Sequence, residues 1–198
     1  MKAGLYFGSF NPIHHGHLII AKHLLNEKLV DEIWFVISPQ NPFKQSSGML
    51  NEHHRYFLLQ EAIEGEKNMK VSNVEFKLPK PSYTVNTLAY LQEKYADITF
   101  HVVMGSDSYQ NLPKWKNASV IMDNYPLIIY KRPGFEILKV EGVDTTITDA
   151  PLLQISSTHI RELIRKGKSI RYLVPEPVRI EIENKQYYTS ALENPSKK

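Results

Sequence analysis

Short, continuous apolar runs alternate with amphipathic stretches along the chain. Leu5–Phe7 is an apolar run that stops at Gly8, and Lys2–Phe7 reads as a buried first strand. A polar turn with Asn11 and Pro12 follows. Gly16–Leu29 then shows helical spacing, with Leu18, Ala21, Leu25 and Leu29 on one side. Glu32–Ile37 is rich in β-branched and aromatic residues and reads as a second strand. Strand, helix and strand in close succession form a βαβ unit, whose crossover is almost always right-handed.

Beyond it the pattern continues. Ser38–Leu50 (SPQNPFKQSSGML) carries Pro, Ser, Gln and Gly and reads as a long mobile loop. Asn51 is placed to cap a helix reaching Glu64, and Lys70–Leu78 is strand-like. Ser82 or Thr84 starts a helix through Tyr95. Thr99–Met104 and Leu127–Tyr130 are strands. Ser156 or Ser157 caps a helix through Lys166, with Gly167 where a terminating glycine belongs. A short helix follows Pro175–Pro177, and the end of the chain frays.

This alternation predicts the α/β class: a doubly wound parallel sheet in a single domain over residues 1–190, with a frayed tail over 191–198. In such sheets ligands bind beyond the carboxyl ends of the strands. The unusual residues lie there: Gly8–His17, Pro39–Lys44 and Gly105–Trp115 each follow a strand.

Composition narrows the classes. The 198 residues suffice for one domain with a sizeable core, and the hydrophobic fraction of 42% is ordinary for a globular protein. A net charge of +3 is too small to argue for nucleic-acid wrapping or a membrane surface. No run of Lys and Arg interleaved with aromatics supports nucleic-acid binding. The absence of cysteine removes disulfides, thiolate zinc sites and cysteine nucleophiles. The apolar runs are strand-sized, and the first meets Gly8, Asn11 and Pro12 at once; a cytoplasmic chain without a membrane span is expected. The oligomeric state stays open, a homo-oligomer included.

The chemistry concentrates in two segments. In Gly8-Ser9-Phe10-Asn11-Pro12-Ile13-His14-His15-Gly16-His17, the glycines allow close backbone approach to a phosphate, and the helix start favours an anion. His14 and His17 share one side of the first turn, where two imidazoles can donate to phosphate oxygens. Incidental histidines in a turn, or a metal pair, would leave the same residues. In Ile155-Ser156-Ser157-Thr158-His159-Ile160-Arg161, hydroxyls open a helix and Arg161 sits about one turn in, a grouping able to meet a phosphate chain. By itself it reads as an ordinary N-cap followed by a surface arginine.

The first segment resembles the G-x-F-x-P-x-H-x-G-H signature of the HxGH nucleotidyltransferase superfamily, and the second resembles its I-S-S-T-x-I-R. That resemblance implies a Rossmann-like sheet and direct nucleotidyl transfer from a nucleoside triphosphate. Pro81-Ser82-Tyr83-Thr84-Val85-Asn86-Thr87-Leu88 is similar to the P-S-Y-T-x-x-T-L of bacterial nicotinate-nucleotide adenylyltransferases. Gly105-Ser106-Asp107 with Trp115 resembles their G-x-D…P-x-W, and Lys131-Arg132-Pro133-Gly134 and Tyr172-Leu173-Val174-Pro175 also match. The similarity runs from about residue 4 to 188, with Gln40 a departure where many relatives have Asn.

The resemblance implies ATP and nicotinate mononucleotide as substrates, and deamido-NAD (nicotinate adenine dinucleotide) and pyrophosphate as products. It assigns His14, His17 and Arg161 to catalysis. For ATP it implies Gly8, Ser9, Phe10, Gly16, Lys44, Gly105, Asp107, Ser156, Ser157 and Thr158. For the pyridine nucleotide it implies Tyr83, Thr84, Trp115, Lys116 and Arg132, with Trp115 stacked on the ring and backbone N–H groups near Thr84 and Trp115 on the carboxylate. Asp107 also admits the reading of a solvated loop residue, and Arg132 either faces phosphate or simply precedes a turn. The attacking phosphate is largely dianionic at neutral pH, because its second pKa is about 6. No general base is needed, and catalysis becomes positioning plus charge stabilisation. Mg²⁺ is expected to ride on the substrate phosphates, with no protein metal site. A phosphopantetheine or cytidylyl transferase of the same superfamily, or a non-catalytic nucleotide sensor, are the competing readings.

Overall fold

The computed structural model describes residues 1–39 and 48–189. Its elements run β1 (Lys2–Gly8), α1 (His15–Asn26), β2 (Glu32–Ile37), α2 (Glu52–Ala62), β3 (Met69–Ser72), α3 (Thr84–Lys94), β4 (Thr99–Gly105), α4 (Ser106–Asn111), α5 (Ala118–Asn124), β5 (Leu127–Tyr130), β6 (Thr145–Thr148), α6 (Ser157–Arg165) and α7 (Glu176–Asn184). Short 3₁₀ turns occupy Val74–Phe76 and Leu112–Lys114.

The six strands form one parallel sheet in the order β3-β2-β1-β4-β5-β6. The order reverses at β1, which pairs with β2 on one side and β4 on the other. Crossovers to opposite sides leave a crevice at the carboxyl ends of β1 and β4, where a doubly wound sheet binds its ligands.

Alternation along β1 feeds two cores. Tyr6 joins the layer of Ile20, Ala21 and Leu24 from α1, Leu58 and Leu59 from α2, Ile160 from α6, and Val178 and Ile182 from α7. Ala3 and Leu5 face the other layer, with Val85, Leu88 and Leu91 from α3, Tyr109 from α4 and Ile121 from α5. Burial on both faces explains why β1, β2 and β4 read as unbroken apolar runs.

The local differences have physical causes. α1 buries Gly16, Ile20, Ala21 and Leu24, while Leu18, Leu25 and Leu29 are only partly covered. The strand expected over Lys70–Leu78 ends at Ser72. Val74 and Phe76 keep strand-like alternation but form a 3₁₀ turn that buries Val74 and Glu75. β6 and α4 lack the apolar runs that would announce them, and α5 is only 7 residues long. Asn51 caps α2 by accepting from the His53 N–H at 2.9 Å, Ser156 caps α6, and Gly167 takes φ 63° just past its end. The central portion of the loop expected over 38–50 and the tail expected over 191–198 lie outside the described residues. Among the described residues no helix is long and apolar enough to cross a membrane.

Candidate active site

At the crevice, the chain between β1 and α1 turns under the start of α6. Phe10 holds φ 44°, in the left-handed region that a bulky residue occupies only when its surroundings enforce it. Two guanidinium groups flank it. Arg55 donates from Nη1 to the Ser9 carbonyl at 2.6 Å, and Arg161 donates from Nη1 to the Asn11 carbonyl at 2.6 Å. Ser157 Oγ donates to the Pro12 carbonyl at 2.8 Å. The two motifs that lie far apart in sequence are thus bonded directly to one another.

The resulting cleft encloses about 1350 Å³ up to its open mouth, and His14, His17, Asp107, Arg132, Thr158 and Arg161 line it. His14 and His17 stack, with ring centroids 3.7 Å apart and planes 25° from parallel. His14 is buried, and its Nδ1 has no hydrogen-bond partner among the described residues. Burial, with Arg132 and His15 adding positive charge, lowers its pKa to about 4. An anion between these rings and Arg161 would find a neutral imidazole ready to gain a proton.

The glycines serve the side chains around them. A Cβ on Gly16 would stand 3.0 Å from Cε1 and Nδ1 of His14, and one on Gly8 would stand 2.8 Å from the Phe10 ring. On the side where a Cβ would project, the space at these positions is taken by rings of the protein. A Cβ on Gly105 would meet Asp107 Oδ1 at 2.5 Å and Arg132 Nε at 2.8 Å. Gly105 ends β4 and lets the Asp107–Arg132 ion pair, 3.3 Å long, close over the strand end. Arg132 also donates from Nη2 to Tyr130 Oη, which shares a 3.2 Å hydrogen bond with Tyr6 Oη. Arg132 stands in this cleft beside His14, while Trp115 lines the neighbouring pocket.

The hydroxyls opening α6 divide their work. Ser156 accepts from the His159 N–H at 3.2 Å, Ser157 is bound to Pro12, and Thr158 Oγ1 accepts from Arg161 Nη2 at 3.3 Å. Ser9, Phe10 and Gly8 line the cleft with them. Lys44 lies outside the described residues.

A smaller pocket of about 670 Å³ adjoins the cleft. Tyr83, Thr84, Trp115, Lys116 and Glu75 line it, and Phe7, Gly8 and Ser108 line both spaces. Trp115 is half-buried at the end of a 3₁₀ turn, and Lys116 Nζ lies 4.4 Å from the centroid of the Tyr83 ring. The amino end of α3 faces this region with Tyr83 as its N-cap and no side-chain hydrogen bond there, leaving N–H groups for a carboxylate.

Two buried charged residues escape a reading of the sequence. Arg55 has no exposed surface and donates to four backbone carbonyls, of Ser9, Ser38, Pro39 and Leu50. Backbone acceptors leave no trace in residue type, so sequence offers only a side-chain pairing for it. Glu75 accepts from Ser82 Oγ at 2.6 Å and Thr87 Oγ1 at 2.9 Å. Its position inside a strand-like alternation conceals it. Asn11 is buried but uncharged, and its side chain ties Gly48, Leu50 and Tyr188 to the cleft.

Comparison with known proteins places this geometry among relatives. Residues 5–163 match the cytidylyltransferase-like family model. A protein of Cytophaga hutchinsonii described as "Probable nicotinate-nucleotide adenylyltransferase" is 44% identical over 96% of this chain and 100% of its own length. One of Christiangramia forsetii with the same description is 44% identical over 94% and 98% of the two chains. The solved structure of Plasmodium falciparum nicotinic acid mononucleotide adenylyltransferase complexed with NaAD superposes with a TM-score of 0.79 at 21% identity, covering 97% of this chain and 99% of that one.

Proposed function

The chain belongs to the cytidylyltransferase-like family, among its nicotinate-nucleotide adenylyltransferases, and from that premise we propose how its residues divide the reaction. The enzyme transfers the adenylyl group of ATP to nicotinate mononucleotide, giving nicotinate adenine dinucleotide and pyrophosphate in NAD biosynthesis. The observation that carries the division is the junction of two compartments over Gly8 and Ser108: one holds paired imidazoles and guanidinium groups, the other an indole.

ATP takes the larger cleft. His14, His17, Thr158 and Arg161 hold its phosphates, and Gly105 and Asp107 stand at the end of β4 beside them. The pyridine of the mononucleotide takes the smaller pocket against Trp115, with its carboxylate toward the N–H groups that open α3. The mononucleotide phosphate, already dianionic, meets the α-phosphorus over Gly8. Charge accumulates on the bridging and leaving oxygens, and the imidazole and guanidinium donors stabilise it there. Arg132 reaches the triphosphate side of the junction, held by Asp107 and Tyr130.

Nucleotidyltransferases of this family generally use a divalent metal. Among the described residues lining the cleft, Asp107 is the only carboxylate and Arg132 already holds it. That donor set fits Mg²⁺ carried by the triphosphate better than a protein cage; when bound, the ion neutralises phosphate charge. We place the enzyme in the cytoplasm. Pyrophosphate release that requires ATP and nicotinate mononucleotide together is the test. Release with CTP, or with 4′-phosphopantetheine as acceptor, and none with nicotinate mononucleotide would overturn the reading.

A further inference from the structure

Glu75 is an oddity for a pocket that receives an acid. It is 2% exposed, lines the same pocket as Trp115, and no cation bonds its carboxyl group among the described residues. Only hydroxyls reach it: Ser82 on one oxygen, Thr87 on the other, and Ser38 beside them. Burying a carboxylate this way is costly, and three hydroxyl donors fix its place without neutralising it. Lys116, the other charged residue lining the pocket, sits over the Tyr83 ring.

The ligand chemistry resolves the oddity. The ring of a pyridine mononucleotide is bonded to ribose through its nitrogen and carries a permanent positive charge, while its carboxylate is negative. The pocket is dipolar in the same sense, with Glu75 and the indole face for the cation, and Lys116 and the start of α3 for the anion. We infer that Glu75 is a specificity-determining residue that recognises the positive charge of the pyridinium ring. The inference rests on the pyridine occupying this pocket.

The decisive comparison is between nicotinate mononucleotide and the C-riboside phosphate of benzoate, which keeps carboxylate, ribose and phosphate but has an uncharged ring. Wild-type enzyme should bind the charged compound at least about tenfold more tightly, and Glu75→Gln should shrink that ratio about tenfold while the KM for ATP holds. A purely structural role would weaken both compounds alike and leave the ratio unchanged, overturning the inference. Equal binding of the two by the wild type would overturn it as well. Should Glu75→Gln fail to fold, Trp115→Leu serves instead. With Glu75 intact it must retain part of the preference, and complete loss would assign the whole effect to the indole. A wild-type enzyme that releases no pyrophosphate with nicotinate mononucleotide would instead sink the pocket assignment beneath the inference.

Discussion

The imidazole of His14 lies flat on that of His17, 3.7 Å from centroid to centroid. Two protonated rings at that spacing repel strongly, and the proposed triphosphate would offset that charge. The contact of His17 should therefore strengthen as charge develops on the leaving phosphate. His17→Ala is expected to lower kcat by about 10²–10³-fold. The KM for nicotinate mononucleotide should stay nearly constant. Steady-state kinetics with both substrates varied checks this, and unchanged turnover would remove His17 from the reaction.

The neutral state of His14 also appears in stability. Its folded pKa is about 4 and its ordinary value 6.5, so between those values the unfolded chain binds the extra proton. Stability is then full above pH 6.5 and is lost as pH falls toward 4, by as much as about 3 kcal/mol from this one group. Denaturant titrations across that window should show His14→Gln flattening the dependence. A slope identical in the variant would mean another group causes it.

Gly16→Ala separates activity from folding. Alanine at an α1 position should stabilise the helix by about 1 kcal/mol. Its methyl group would stand 3.0 Å from the His14 ring, which has to move. The expected result is a melting temperature held or raised and a kcat lowered about tenfold. Loss of both together would point to a different constraint at Gly16.

Much of this site could be read from residue order. The apolar runs of β1 and β2 and the segments Gly8–His17 and Ile155–Arg161 stand out because their chemistry lies in side-chain type. Other parts leave no such mark. β6 (TTIT) is a half-exposed edge strand with no apolar run, α4 is short and polar, and α5 is short. Phe76 alternates with Val74 like a strand but closes a 3₁₀ turn, which hid Glu75. Arg132 was legible as a cation. Its place depends on Gly105 letting Asp107 close over the strand end, a tertiary fact invisible in Lys131-Arg132-Pro133-Gly134.

Trp115→Ala should raise the KM for nicotinate mononucleotide about tenfold or more by removing the indole face proposed to stack on the ring. The KM for ATP should hold, since Trp115 lines only the smaller pocket of the two. Initial-rate measurements decide it; an effect confined to ATP would reverse the assignment of the compartments.

Arg55→Met should cost about 3 kcal/mol or more, because it strands four carbonyls to which, among the described residues, the guanidinium donates. Chemical denaturation measures the loss, and a variant as stable as the wild type would show that other donors replace it.

The same guanidinium welds three separate stretches of chain into one cooperative block. Amide protons of the Ser9–Asn11 turn should exchange with solvent only when α2 also comes loose, because neither can part from the other without abandoning a buried charge. That turn is then as long-lived as the interior beneath it, and the wall of the cleft keeps its backbone shape whether or not a ligand is present.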